Sequence, residues 1–205
     1  TTLINTSADN FLYALDMATG NLVWETAILG PTMRAPTSGG PIIANGKVIT
    51  GRQCQPDATR ESCVVTAHDA KTGKELWRFH TIPGPGEQGD ESWGGIPMEQ
   101  RWHVGTWMVP SYDPERNLVI LGTSVTIPAP KFTLAGPDKQ YLFHNSTLAI
   151  DANTGKLKWY YQHIVDHWDL DHPFERLLVD TAVAPDPRSE EHTSELQSPY
   201  VISYA

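Results

Sequence analysis

Basic residues are scarce: 15 lysines and arginines stand against 24 aspartates and glutamates, a formal net charge of −9 over 205 residues. That balance lacks the positive footprint with which proteins neutralise phosphate backbones, so nucleic acid is not an expected partner. Long apolar runs are missing too. None approaches the roughly 20 residues needed to cross a bilayer, and no transmembrane segment is expected. The opening TTLINTSADN has no initiator methionine, no basic n-region and no apolar h-region, so it carries no readable leader and reads as a cut within a longer protein. Tryptophan is plentiful, with 7 residues, alongside 16 glycines and 16 prolines. Aromatics fill pleated cores while Gly and Pro punctuate, which points to many short strands and excludes an all-helical fold. The length suffices for one ordinary domain with a sizeable core.

An internal repeat sets the architecture. FLYALDMATGNLVW (11–24), VVTAHDAKTGKELW (64–77) and STLAIDANTGKLKW (146–159) share one pattern. Asp16, Thr19, Gly20 and Trp24 recur as Asp69, Thr72, Gly73 and Trp77, then as Asp151, Thr154, Gly155 and Trp159. An alternating strand ends at the Asp, whose carboxylate can cap a tight turn closed by Thr-Gly, and a second strand carries the Trp back. Each unit is therefore expected to be a β-hairpin. Further strand pairs precede the second and third hairpins, GGPIIANGKVITG and TWMVPSYDPERNLVILGT, making four-stranded units. Such units at irregular intervals predict an all-β fold, a fragment of a β-propeller with two complete blades and partial flanking blades, and with insertions near 80–106 and 126–145. An ordinary β-sandwich is the alternative.

The chain is expected to divide into a partial propeller domain over 1–187 and a non-native tail over 188–205. Residues 188–198, RSEEHTSELQS, resemble the translation of a widely used DNA-sequencing adapter, and ISYA at 202–205 fits its continuation beyond a barcode. Removing that tail leaves the acidic balance in place.

The A-x-D-x-x-T-G-x-x-x-W repeat resembles the tryptophan-docking motif of the eight-bladed quinoprotein propellers, the pyrroloquinoline quinone (PQQ) dependent alcohol dehydrogenases. The likeness runs from about residue 10 to 183 and includes TIPGPGE, TWMVPSYDPERNLVILGT and HWDLDHPFERLLVD. It implies a periplasmic enzyme in its full-length form. That enzyme would oxidise an alcohol or similar hydroxyl compound by hydride transfer to PQQ, with Ca²⁺ or a lanthanide polarising the quinone and an Asp as base. Electrons would pass to a cytochrome c or a quinone acceptor. The fragment alone is expected to be inactive, because blades bury their faces only against neighbours.

The resemblance also assigns residues. Trp107, six residues before Asp113, takes the position of the Trp that stacks under the quinone, for which a flat indole is suited. Asp169 in HWDLDH takes that of the catalytic base, with Asp171 as its substitute. Ser38 in PTSGGP resembles a hydroxyl that bonds a cofactor carboxylate. A core Trp, a turn-capping carboxylate and plain turn chemistry are the respective alternatives. The metal falls to Asp57, ahead of Glu61, with Ser124 and Asp169. Here the family pattern breaks: the blade that ends G-T-G-N in the family reads Gly122, Thr123, Ser124, Val125, and Val offers no oxygen to a hard cation. The family's adjacent-cysteine ring would lie upstream of the first repeat.

Other motifs carry less. Cys54 and Cys63 flank a short excursion between two expected strands and are either a disulfide, worth ~3 kcal/mol by loop closure, or two thiols. Gly84, Gly86 and Gly89 match G-x-G-x-x-G, but Pro83 and Pro85 remove donors and no helix pattern follows, so this reads as a loop. His163, His167 and His172 with Asp166 and Asp171 are zinc-ligand types without helical spacing. The Asn145-Ser146-Thr147 sequon falls at a strand start and reads as coincidence. Two rival functions remain. One is a non-catalytic propeller serving as a binding or assembly scaffold, with Val125 marking a lost metal site. The other is a sugar-facing protein using exposed Trp93 and Trp102.

Overall fold

A computed structural model describes residues 1–54, 60–127, 139–165 and 170–179, and the backbone of 201–202. Three antiparallel meanders account for nearly all of its regular structure. The first contains β1 (Thr2–Thr6), β2 (Phe11–Asp16) and β3 (Leu22–Ala27) in that order. The second contains β4 (Ile42–Ala44), β5 (Lys47–Thr50), β6 (Val64–Asp69) and β7 (Glu75–His80). The third contains β8 (Ser111–Asp113), β9 (Leu118–Gly122), β10 (Ser146–Asp151) and β11 (Leu157–Gln162). The all-β class and the four-stranded units expected from the repeat are present. No helix among the described residues is long and apolar enough to cross a membrane.

The repeat builds the same hairpin three times. Ala14 pairs with Trp24, Ala67 with Trp77 and Ala149 with Trp159, and each pair is followed at once by a register shift. The turn chemistry explains the identity. Asp16 Oδ1 accepts from Ala18 N, Thr19 N and the Thr19 hydroxyl at 2.9–3.0 Å. Asp69 does the same with Lys71 and Thr72, and Asp151 with Asn153 and Thr154. These bonds, the Thr hydroxyl first, hold the Asp16 and Asp69 carboxyls below their usual range.

The glycines of the second and third turns answer two demands. Gly73 and Gly155 have φ of 73° and 70°, a region that L side chains rarely adopt. A Cβ on Gly73 would also sit 2.5 Å from Trp24 Cε3, and one on Gly155 2.7 Å from Trp77 Cδ2. Each of these two turns is thus the floor on which the Trp of the preceding sheet rests. Trp24 Nε1 donates to Ala70 O at 3.3 Å and Trp77 Nε1 to Ala152 O at 3.0 Å, locking sheet to sheet. Between the second and third sheets, Ile49, Val65, Trp77, Val119, Leu121, Leu148 and Ile150 form one core. Leu12, Ile28, Leu29, Val48 and Val64 fill the gap between the first and second.

The stretch after β7 makes two short 3₁₀ turns, Asp90–Trp93 and Met98–Gln100, over a third cluster that includes both cysteines. Cys54 and Cys63 form a disulfide with Cα atoms 5.1 Å apart. Trp93 is fully buried, edge-on to Tyr141, and donates to Leu142 O at 2.5 Å. This corrects the reading of Trp93 as an exposed sugar platform: it is the anchor of the inserted loop. Trp102 is half-buried and its Nε1 donates to Glu99 O. The glycine loop binds its own carboxylates, Gly84 N on Glu87 Oε2 and Gly86 N on Asp90 Oδ2, as a plain loop does. Asn145 is fully buried, so its sequon is not a surface site in the folded chain. Of the proposed tail, only Val201–Ile202 is described, as β13, pairing in parallel with β12 (Leu177–Leu178). The rest of 188–205 lies outside the described residues.

Candidate active site

Four segments meet where the second and third sheets release their chains. The backbone beyond β5 pairs with 105–106: Thr106 N donates to Arg52 O at 2.7 Å, and Arg52 N to Thr106 Oγ1 at 3.3 Å. Gly51 must be glycine for this approach, since a Cβ there would lie 2.1 Å from Thr106 O. On the other side, Gly105 exchanges bonds with Ser124, Gly105 N to Ser124 Oγ at 2.8 Å and Ser124 N to Gly105 O at 2.9 Å. Residues 105–106 therefore bridge the ends of two blades and present Trp107 between them.

Trp107 is half-buried. Its ring lies 3.1 Å from where a Gly105 Cβ would stand, with the His103 ring 6.2 Å away. Its carbonyl accepts from Gly39 N at 2.7 Å and from the Thr37 hydroxyl at 3.3 Å, and Gln53 N reaches Pro36 O in the same loop. Ser38, between Thr37 and Gly39, is thereby held next to Trp107. The structure brings together these two residues, picked out 69 positions apart in the sequence.

The metal candidates are placed otherwise. Ser124 is buried. Its hydroxyl accepts from Gly105 N and its hydrogen faces the carbonyls of His103 and Val125, so it holds the bridge together. Val125 is fully buried. Asp171 Oδ1 accepts from Val125 N at 2.9 Å, which pins the chain after β9. Asp57 and Asp169 lie outside the described residues. Among the described residues no group of three His, Cys, Asp or Glu side chains could hold a metal ion.

Residues 30–189 match the PQQ family described as glucose/ethanol/alcohol dehydrogenase, beta-propeller domain. The chain belongs to this family. It is 33% identical to the quinohemoprotein alcohol dehydrogenase ADH IIB of Pseudomonas putida over 194 residues, 88% of this chain and 27% of that protein. The solved quinohemoprotein alcohol dehydrogenase of Comamonas testosteroni superposes with a TM-score of 0.75 at 27% identity, over 89% of this chain and 29% of that one. A europium-containing methanol dehydrogenase shares the fold, at a TM-score of 0.68 and 23% identity, over 83% of this chain and 32% of that one. The chain spans about a quarter of the length of the curated relatives it matches.

Within the PQQ family fold, two features were not foreseen from the sequence, a residue and the stacking of two histidines singled out there only as zinc-ligand types. One is Arg52, whose side chain is buried without a partner. Strand parity was the available signal: Val48, Thr50 and Arg52 alternate onto one face, and Val48 packs against the first sheet. The other is an imidazole stack. The His163 and His172 rings lie 4.9 Å apart and nearly parallel, at 13°. Thr147 Oγ1 meets His163 Nε2 at 2.7 Å, and Arg176 donates to Thr147 Oγ1 and His172 O.

Burial, then the nearby His172 and Arg176, push the His163 pKa down from 6.5 to about 4. In the unfolded chain the ring takes a proton near 6.5, whereas in the fold it resists one until about pH 4. Its contribution is therefore complete above pH 6.5 and is lost as pH falls toward 4. At about 1.4 kcal/mol per unit, reduced for partial solvent contact, that is ~2 kcal/mol. Urea unfolding of the intact protein at pH 7 and 4.5 is expected to show this extra loss, and His163→Gln to remove it. An unchanged pH slope in the variant would contradict the assignment.

Proposed function

We propose that the intact protein is a PQQ-dependent dehydrogenase acting on an alcohol or a similar hydroxyl compound. The observation that carries this reading is the convergence of the 37–39 loop on the Trp107 carbonyl. It ties the loop that carries Ser38 to the backbone of Trp107, whose indole is half-buried, at the end of two blades in a chain of the PQQ family. When bound, the quinone supplies the sink for the hydride that leaves the substrate carbon.

The chain's own residues do the rest. Trp107 offers a flat apolar face that orients a planar ring and excludes water from one side. The Ser38 hydroxyl would hold a carboxylate of the quinone by donating to it. Asp169 takes the hydroxyl proton of the substrate, so that the C–H pair and the O–H proton leave together and a carbonyl product results. Asp171 is its substitute. The described donors do not build a cation site, because Val125 lacks an oxygen, Ser124 is engaged by backbone, and Asp171 holds Val125 N. Ca²⁺ or a lanthanide would rest on Asp57 and Asp169, and no step is assigned to it. A cytochrome c or quinone acceptor, in keeping with the quinohemoprotein and cytochrome c relatives, and a periplasmic location complete the proposal.

The same lack of cation donors favours the second reading, a propeller that binds or assembles without catalysis. Adding PQQ, with and without Ca²⁺ or La³⁺, to the intact protein separates the two. Quenching of tryptophan fluorescence at one equivalent, with alcohol-dependent reduction of a dye, is the expected result. No bound quinone would leave the scaffold reading.

A further inference from the structure

Arg52 is the most anomalous polar side chain among the described residues. It is 1% exposed, and none of its three guanidinium nitrogens meets a hydrogen-bond acceptor. Burial lowers its pKa only to about 10, so it is still a cation at neutral pH. A buried, unpaired charge costs several kcal/mol, and proteins rarely tolerate one without a compensating anion.

The other buried arginines are satisfied. Arg101 reaches Asp90 at 2.7 Å and the carbonyls of Ile96 and Pro83. Arg176 is bonded to Thr147 Oγ1 and to backbone oxygens. Arg52 alone of these three has been left with an open fork. Its position is informative: the flanking backbone is tied to Thr106 and to Pro36, the two segments that carry Trp107 and Ser38. The Gly105 Cβ position lies 3.3 Å from Arg52 O on one side and 3.1 Å from the Trp107 ring on the other.

A guanidinium presents five donors in a rigid plane that matches a carboxylate two bonds at a time. PQQ is a planar tricarboxylate. We infer that Arg52 is the anchor for one carboxylate of the quinone, fixing the ring's rotation beside Trp107. This rests on the quinone reading above and names a residue to which no role attaches in the sequence pattern.

The test uses the intact protein, titrated with PQQ and with its trimethyl ester while tryptophan quenching and melting temperature are followed. Arg52→Gln is expected to weaken PQQ binding about 100-fold and Arg52→Lys about 10-fold, as for loss of a buried charge pair and of its fork geometry. The ester should bind wild type and Arg52→Gln alike. Without ligand, Arg52→Gln should melt no lower than wild type, because it removes an unpaired charge, whereas a merely structural arginine would leave the variant less stable. PQQ should then raise its melting temperature far less than that of wild type. Equal PQQ affinity in wild type and Arg52→Gln would overturn the anchor while leaving the quinone reading intact. No PQQ binding by wild type would overturn both. If Arg52→Gln does not fold, Arg52→Lys and the wild-type comparison of acid with ester decide, and equal affinity for acid and ester overturns the anchor.

Discussion

Replacing Trp77 with alanine is expected to destabilise the intact protein by about 4 kcal/mol, within the range for emptying a buried aromatic site. The indole is 9% exposed and packs in the core shared by the second and third sheets. Its ring rests against Gly155, and its Nε1 donates to Ala152 O at 3.0 Å. Truncation would open a cavity between two blades and leave the Ala152 carbonyl without that donor, a further cost on top of lost apolar contact. The two sheets can close the gap only in part, because the rest of their shared core holds them apart. Trp24→Ala should cost less: that indole is only half-buried and its bond to Ala70 O is longer, at 3.3 Å. Urea unfolding followed by circular dichroism reads both, with a lower midpoint and an unchanged m-value. A Trp77→Ala loss under 1.5 kcal/mol, or the reverse order of the two variants, would contradict the docking account.

Asp169→Asn is expected to lower turnover by ~10² or more while PQQ still binds, the usual size of a general-base contribution. The amide keeps the size and an acceptor oxygen but cannot take the substrate proton. The acid limb of the pH profile for kcat should vanish with it, an effect that mere loss of packing would not produce. Asp171→Asn is the control. Its carboxamide oxygen can go on accepting from Val125 N, so turnover should change little. If turnover survives in Asp169→Asn and collapses in Asp171→Asn, the base is Asp171.

The hairpins were legible because their instructions are local. Asp16, Thr19 and Gly20 form every bond of their turn within five residues, and the same chemistry recurs at 69–73 and 151–155. The eight-residue step from Asp to Trp then fixes which residue faces the next sheet. From the same letters follow the all-β class, the four-stranded units and the likeness to the quinoprotein family that residues 30–189 bear out.

The site was legible only in part. Trp107 and Ser38 could be named, but their meeting depends on Gly39 N and Thr37 Oγ1 reaching a carbonyl some 70 residues away. Trp93 looked like any loop tryptophan until Tyr141 and Leu142, from a distant segment, closed over it. Ser124 offered an oxygen on paper, and the arrival of Gly105 engaged it. By itself the sequence determined what short-range hydrogen bonds and side-chain alternation can encode: strand, turn, bulge and the face a residue takes. Only the tertiary structure decided which side chains were sealed from water and which of their polar atoms found partners. Burial depends on which remote segments come to lie across a residue, and that is how a guanidinium at Arg52 came to be buried with its donors open.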